Sequence, residues 1–427
     1  MKIQKINLFD MVNTISDVSD MISPLLRRHQ NIVGYVSFLI AKEMGLSTKE
    51  QNDVLIAGLL HDVGATSLKE RLDLLNFKIE HPHIHAEKGY FVLKRFKYFK
   101  NISNIVRFHH YKYNFGRGLE FEGKEIPIGS HILHLADRFE VLVNKNQEPL
   151  GQKEETLKRI KENSGEFFHP VIVEVFLEIA DKEYFWFDTC SQDFDIDVAI
   201  ANKLKFNLFE IDIDEFEQFS EVIAVLIDFR SRFTLFHSFG VSIVAKEIAK
   251  SVDFSEKECE MMKIAGLVHD IGKLAVPIEI LEKPGRLEEN EMNIIKRHPY
   301  NTYRIFEEIN ALDQINLWAA LHHEKLDGTG YPFHLREENI SLGSRIMGIS
   351  DIFTALAEDR PYRKGMDVKT VLKILNDMAR DKKIDPYLLS ILEKNIDEIN
   401  SKRFYIQKEI SKKYYNELMN FNLFRDS

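Results

Sequence analysis

LIAGLLHDVG (residues 55–64) and MKIAGLVHDIG (residues 262–272) match closely around a His-Asp pair, and that match decides how the whole chain is read. In the second stretch Met261, Ile264, Ala265 and Val268 follow the i, i+3, i+4, i+7 spacing of one helix face. Gly272 is placed to stop that helix just after the pair. Upstream of each stretch stands one histidine, His29 or His237; downstream come His85 or His298, a His-His pair (His109-His110 or His322-His323) and an aspartate, Asp137 or Asp351. Corresponding positions lie 208, 208, 213, 213 and 214 residues apart, so order is kept with small insertions. Self-similarity of this kind marks a duplicated structural unit.

The flanks agree. IPIGSHILHLADRFEVL from Ile126 reads against ISLGSRIMGISDIFTAL from Ile340, with apolar residues at a 4,3,4,3 spacing in both: Ile128, Ile132, Leu135, Phe139, Leu142 and Leu342, Ile346, Ile349, Phe353, Leu356. That spacing predicts helices. Further on, GEFFHPVIVEVFLEI resembles KKIDPYLLSILEKNI. The expectation is an all-α chain of two tandem helical bundles, residues 1–204 and 205–427, with the junction in the acidic stretch SQDFDIDVAIANKLKF. Strand-like alternation is sparse; its best candidate is FNLFEIDIDEF after Lys205, and KPGRLEENE marks a turn before another helix.

Composition fits two globular domains, since 427 residues exceed the roughly 250–300 at which single cores stop growing. Hydrophobic residues make up 44% and charged residues 29%, which argues against disorder. No apolar run approaches the roughly 20 residues of a membrane span, and MKIQKINLFDMVNTISD lacks a secretory apolar segment. Two cysteines, Cys190 and Cys259, make no disulfide framework, so a reduced, cytoplasmic setting is expected. A net charge of −10 disfavours nucleic acid polymers and anionic membranes as partners. An anionic ligand then needs local positive charge, such as metal ions. No Gly-rich phosphate loop or dinucleotide fingerprint is present.

The recurring polar set of the second unit is His237, His269, Asp270, His298, His322, His323 and Asp351. Imidazoles and carboxylates are the donors that borderline divalent metals take. Seven side chains exceed what one ion needs, so two ions are expected, with Asp270 placed to bridge them. Such a pair polarises phosphoryl oxygens and lowers the pKa of a shared water, which suits phosphodiester hydrolysis. A lone histidine is more often structural, and His83, His131, His134 and His334 are read that way.

HDIGK from His269, followed by HHEKLDGTGYP from His322, resembles the HD-GYP branch of the HD superfamily of metal-dependent phosphohydrolases, as do PIEILEKPGRL, HPYNT and DRPYRKG. The resemblance covers roughly His237 to Arg363 and implies a phosphodiesterase cleaving cyclic di-GMP to the linear dinucleotide, with GMP as a further product open, or else cleaving cyclic GMP-AMP or another nucleotide. It implies iron or manganese on the seven side chains, Asp270 and Lys273 as catalytic groups, Lys273 on phosphate, and Gly330, Tyr331 and Pro332 shaping the nucleotide pocket. Arg360 and Arg363 fall where family members bind guanine or phosphate. A glutamate that holds a third metal in some members is Phe233 here, so a dinuclear site is expected; the glycine of HPxxG is Thr302, and an aspartate often found three residues after the last ligand is Thr354.

The first unit keeps all seven donor types, as His29, His61, Asp62, His85, His109, His110 and Asp137. It has Ala65 where the second has Lys273, and YKYNFGRG without GYP after His110. It is therefore read as a degenerate, regulatory unit and a candidate second metal site, with dimerisation or a signalling protein partner among its roles. A rival of another class is a non-catalytic module that binds a nucleotide or a partner; the intact second unit counts against it.

Overall fold

The computed structural model describes residues 5–78, 82–190, 210–230, 236–307, 309–359 and 364–420. Its backbone separates into two compact units: one is Asn7–Glu210, and the other is Ile211–Ser427 together with the residues through Ile6. The first contains helices α1 (Leu8–Asp20), α2 (His29–Glu43), α3 (Thr48–Leu60), α4 (Leu68–Leu74), α5 (His83–Leu93), α6 (Lys100–Arg107), α7 (Ile128–Leu142), α8 (Lys153–Glu162), α9 (Pro170–Ala180) and α10 (Glu183–Cys190). A short antiparallel hairpin, β1 (Glu120–Phe121) with β2 (Lys124–Glu125), precedes α7. The second contains α11 (Ile213–Arg230), α12 (His237–Ser251), α13 (Glu256–Val268), α14 (Ile278–Leu281), α15 (Glu289–Ile295), α16 (His298–Phe306), α17 (Asp313–Ala320), α18 (Leu342–Ala357), α19 (Val368–Arg380), α20 (Pro386–Lys394) and α21 (Ile396–Asn420). The fold is all-α, and no helix among the described residues is long and apolar enough to cross a membrane.

In each unit the helix opening on the first histidine is the hub: α2 packs on α3 and α7, and α12 packs on α13, α18 and α21. Ser47 and Ser255 start α3 and α13 with the same reciprocal cap, their hydroxyls accepting from the amides of Glu50 and Glu258 while those carboxylates accept from the serine amides. The AGL(L/V)HD stretches then run where the paired helices nearly touch. A Cβ on Gly58 would lie 2.4 Å from the Cα of Gly34, and one on Gly266 2.5 Å from the Cα of Ser242, so only glycine fits the crossing.

Two sequence expectations change. Helix α13 ends at Val268, and Gly272 serves not as its stop but as a contact: a Cβ there would lie 2.0 Å from the His298 carbonyl oxygen. Gly64 stands likewise against the His85 carbonyl, at 2.1 Å. These glycines let the next ligand-bearing helix approach the His-Asp turn. The strand candidate after Lys205 lies partly outside the described residues; only Glu210–Ile211 is extended, and from Ile213 onward it is helix. Asp212 and Glu215 exchange side-chain and backbone hydrogen bonds at 2.9 and 3.2 Å, a helix-start signal that overrides the alternation.

Candidate metal centre

His237 is the first residue of α12 and follows Phe236, whose φ is +67°; His29 opens α2 after Arg28, with φ of +64°. A bulky residue in the left-handed region is held there by its surroundings, and in both units it turns the following imidazole inward. His269 and Asp270 follow the end of α13, His298 opens α16, His322 and His323 follow α17, and Asp351 projects from α18.

In the second unit all seven side chains converge. His237, His269 and Asp351 bring one donor atom each within 4.8 Å of one another, and so do His298, His322 and His323. Asp270 lies between the two triads, with Oδ2 3.3 Å from His269 Nε2 and Oδ1 3.3 Å from His298 Nε2.

Backbone carbonyls fix the protons. Nδ1 of His269, His298 and His322 lies 2.8, 2.8 and 2.6 Å from the carbonyls of Gly266, Ile295 and Ala319. A carbonyl only accepts, so Nδ1 carries the hydrogen and each ring turns Nε2 inward; His298 and His322, whose pKa values burial lowers, present lone pairs there. His298 and His322 thus aim lone pairs at each other across 3.3 Å. Among the described residues, His269 Nε2 and Asp270 Oδ1 are buried and find no hydrogen-bond partner. Buried donor atoms that repel one another and lack protons fit cations, so the residues present suit a pair of divalent ions.

The electrostatics agree. Burial, then His298, pushes His323 down to about 3. Burial, His323 and His269 push His322 well below its ordinary value, so both rings are neutral donors at pH 7. Burial also opposes a charge on His237, but Glu358 and Asp351 outweigh it and lift that ring to about 10. Asp270 is held well below the carboxylate range: burial works against this, and His269 and Lys273 overcome it.

Lys273, on the turn after Asp270, donates to its carboxylate. The GYP segment packs beside His323. A Cβ on Gly330 would lie 2.4 Å from both the Glu324 Cα and the Lys325 nitrogen, so glycine is needed for the loop to lie back on the strand of chain that follows His323. Tyr331 donates its amide to the His323 carbonyl at 3.3 Å, its ring sits 4.9 Å from the His323 ring, and the Tyr331–Pro332 bond is cis. Arg360, Arg363 and Phe233 lie outside the described residues. His83 packs on Tyr111 and His134 on Phe168, with ring centroids 4.7 and 5.4 Å apart.

Four supporting residues were not singled out for these roles by the sequence. Glu358 faces His237 Nδ1 at 3.0 Å and accepts from Gln407 of α21 at 3.3 Å. Glu324 accepts from the amides of Phe333 and Leu335 at 2.7 and 3.0 Å and ties down the end of the GYP loop. Thr302 accepts from the Gly272 amide at 3.1 Å and donates to the His269 carbonyl at 2.9 Å, fastening α16 to the His-Asp turn. In the first unit Glu140 meets His29 Nδ1 at 2.5 Å, and it had a signal: it stands three residues after Asp137.

The first unit brings its seven together too. His85, His109 and His110 form one donor triad and His29, His61 and Asp137 another. Asp62 Oδ1 is 3.4 Å from both His61 Nε2 and His85 Nε2, and Oδ2 is 3.6 Å from His29 Nε2.

Comparison with known proteins accords with this geometry. The pattern described as "HD domain" matches residues 12–172 and 221–388, one stretch in each unit. The chain is similar to 3'3'-cGAMP-specific phosphodiesterase 1 of Vibrio cholerae, 28% identical over 379 residues that cover 86% of each protein. It is also similar to a cyclic di-GMP phosphodiesterase of Pseudomonas aeruginosa, 37% identical over 142 residues, 33% of this chain and 34% of that one. A crystal structure of a cyclic GMP-AMP specific phosphodiesterase of V. cholerae shares the fold, with a TM-score of 0.63 at 24% identity, covering 92% of this chain and 98% of that one. Two matched HD stretches, a converged His-Asp set in each and a GYP loop folded over the second place this chain in the HD superfamily of metal-dependent phosphohydrolases, in its HD-GYP branch.

Proposed function

We propose that the second unit of this phosphodiesterase hydrolyses a cyclic dinucleotide, with two divalent ions held by His237, His269, Asp351 and by His298, His322, His323, and with Asp270 between them. The observation that carries the reading is Asp270, whose two oxygens lie 3.3 Å from imidazole nitrogens of opposite triads. Ions bound there supply Lewis acidity toward a phosphoryl oxygen and an activated water. Iron or manganese is the proposed loading, carried from the family resemblance.

The protein's own groups do the rest. Asp270, held charged between the two triads, would hold both ions and orient a water for attack. Lys273, 20% exposed at the edge of the centre, offsets charge growing on the phosphoryl group. His323 and Asp351 are the donors open to solvent, with side chains 27% and 13% exposed, so the phosphodiester approaches from their side. A recess lined by His323, Lys325, Tyr331, Ile352 and Lys383 adjoins them and offers a place for the nucleotide.

Cyclic di-GMP and 3'3'-cGAMP are the substrates named for the relatives. The longer match, across 86% of the chain, is to a cGAMP-specific protein and favours cGAMP as the second reading. Turnover of the purified, manganese-loaded chain on cyclic di-GMP, 3'3'-cGAMP and linear dinucleotides, with products identified by mass, tests both. His269→Ala with Asp270→Ala should abolish hydrolysis in a folded protein; retained activity would refute the site.

A further inference from the structure

We infer that the first unit holds its own pair of divalent ions in a sealed centre, closed by Arg138, where no phosphodiester can reach them. The two units provide an internal comparison, because the same seven donors converge in both and only their surroundings differ.

Metal fit rests on lone pairs, as in the second unit. His61 and His109 direct Nδ1 at the carbonyls of Gly58 and Val106, at 2.8 and 2.6 Å, so both rings turn Nε2 inward. His85 Nε2 lies 3.4 Å from His109 Nε2 and 3.1 Å from His110 Nε2, which gathers three imidazole nitrogens in a buried space. Arg138 engages Asp137 Oδ2 and Lys145 pairs with Glu140 at 2.6 Å; Asp62 faces His29, His61 and His85, and Asp137 Oδ1 faces His29 and His61 at 3.7 and 3.9 Å.

The seal is specific to this unit. Asp351 is followed by Ile352, but Asp137 is followed by Arg138, whose Nε and Nη2 reach Asp137 Oδ2 at 3.1 and 2.7 Å. Its Nη2 also donates to the Leu74 carbonyl at 3.0 Å, and its Nη1 to that of Asn76, so the guanidinium is pinned between α7 and the end of α4. Oδ2 of the aspartate faces the second histidine of the pair in both units, at 4.0 Å. In the second unit that edge is open; in the first, His110 and Asp137 side chains are 3% and 2% exposed. Ala65, 1% exposed, stands at the position of Lys273 and offers no cation to a phosphate. A charged fork already bonded to three partners does not yield to a substrate, since displacing it would strand a buried charge.

Elemental analysis of the full-length chain loaded with manganese, followed by an EDTA challenge, tests this without reference to turnover. We expect four ions per chain, two lost quickly from the second unit and two at least tenfold more slowly. Asp270→Asn should remove only the quick pair. Arg138→Ala should keep four ions but speed loss of the slow pair at least tenfold; if that variant does not fold, the wild type and Asp270→Asn decide alone. A total of two ions, both lost in Asp270→Asn, or four ions leaving in one phase, would overturn the inference. Failure of hydrolysis by the second unit would leave the ion count untouched, so the two readings fail separately.

Discussion

Glu324 offers a sharp test of how the GYP loop is held. It is buried, and its two oxygens accept separately from the amides of Phe333 and Leu335 at 2.7 and 3.0 Å. Hydrogen bonds to a charged acceptor contribute about 1.5–3 kcal/mol each. Glu324→Gln retains one oxygen and turns an NH2 toward the second amide, so one bond is lost and local opening becomes easier by about 1.5–3 kcal/mol. At 1.36 kcal/mol per decade that is roughly a tenfold to 150-fold fall in protection of the two amides from hydrogen exchange. Glu324→Ala removes both bonds and about twice the free energy. Exchange read by mass spectrometry on peptides spanning residues 326–336 measures the opening, with peptides from α13 as the unchanged reference. Turnover should drop in parallel, because the Tyr331 ring 4.9 Å from His323 loses its support, while metal content stays. Protection in Glu324→Gln within about threefold of wild type would refute the account.

Three further outcomes follow from the supporting residues. Glu358→Gln removes the charge on His237 Nδ1 and should weaken metal binding by the second unit about 10- to 100-fold, read by competition with a chelating dye. Thr302→Val keeps the shape but strands the Gly272 amide and the His269 carbonyl; destabilisation of about 2 kcal/mol is expected in urea titration, and none would show that water takes over both groups. In metal-free protein the His237 ring, raised to about 10 against burial by Glu358 and Asp351, gives stability that is complete below 6.5 and lost as pH rises through about 10. Melting temperature should therefore fall from pH 7 to 10 in metal-free protein more steeply than in loaded protein, where an ion replaces the proton; parallel curves would count against this.

The seven-residue sets were readable because the sequence repeats them in order, and repetition at offsets of 208 to 214 residues fixes which histidines correspond. Helical periodicity placed α7 and α18 well, since their apolar stripes are long and unbroken. The supporting contacts were harder to read for one physical reason: the partners are far apart in sequence. Glu358 serves a histidine 121 residues earlier, and Thr302 a carbonyl 33 residues earlier, so no local pattern pairs them. Gly272 misled differently, because the chain keeps a glycine there for room beside His298 and not for a left-handed turn.

Glu140 and Glu358 carry one further consequence. Both anchor the outer nitrogen of the first imidazole, yet one sits three residues after its aspartate and the other seven, where the helix has ended. At the position equivalent to Glu140 the second unit has Thr354, and the missing carboxylate arrives one turn later, steadied from α21. The demand is thus for negative charge at a point in space rather than for a given residue. Two copies of one ancestral bundle can meet it by different routes, so a substitution map of either copy will not transfer to the other.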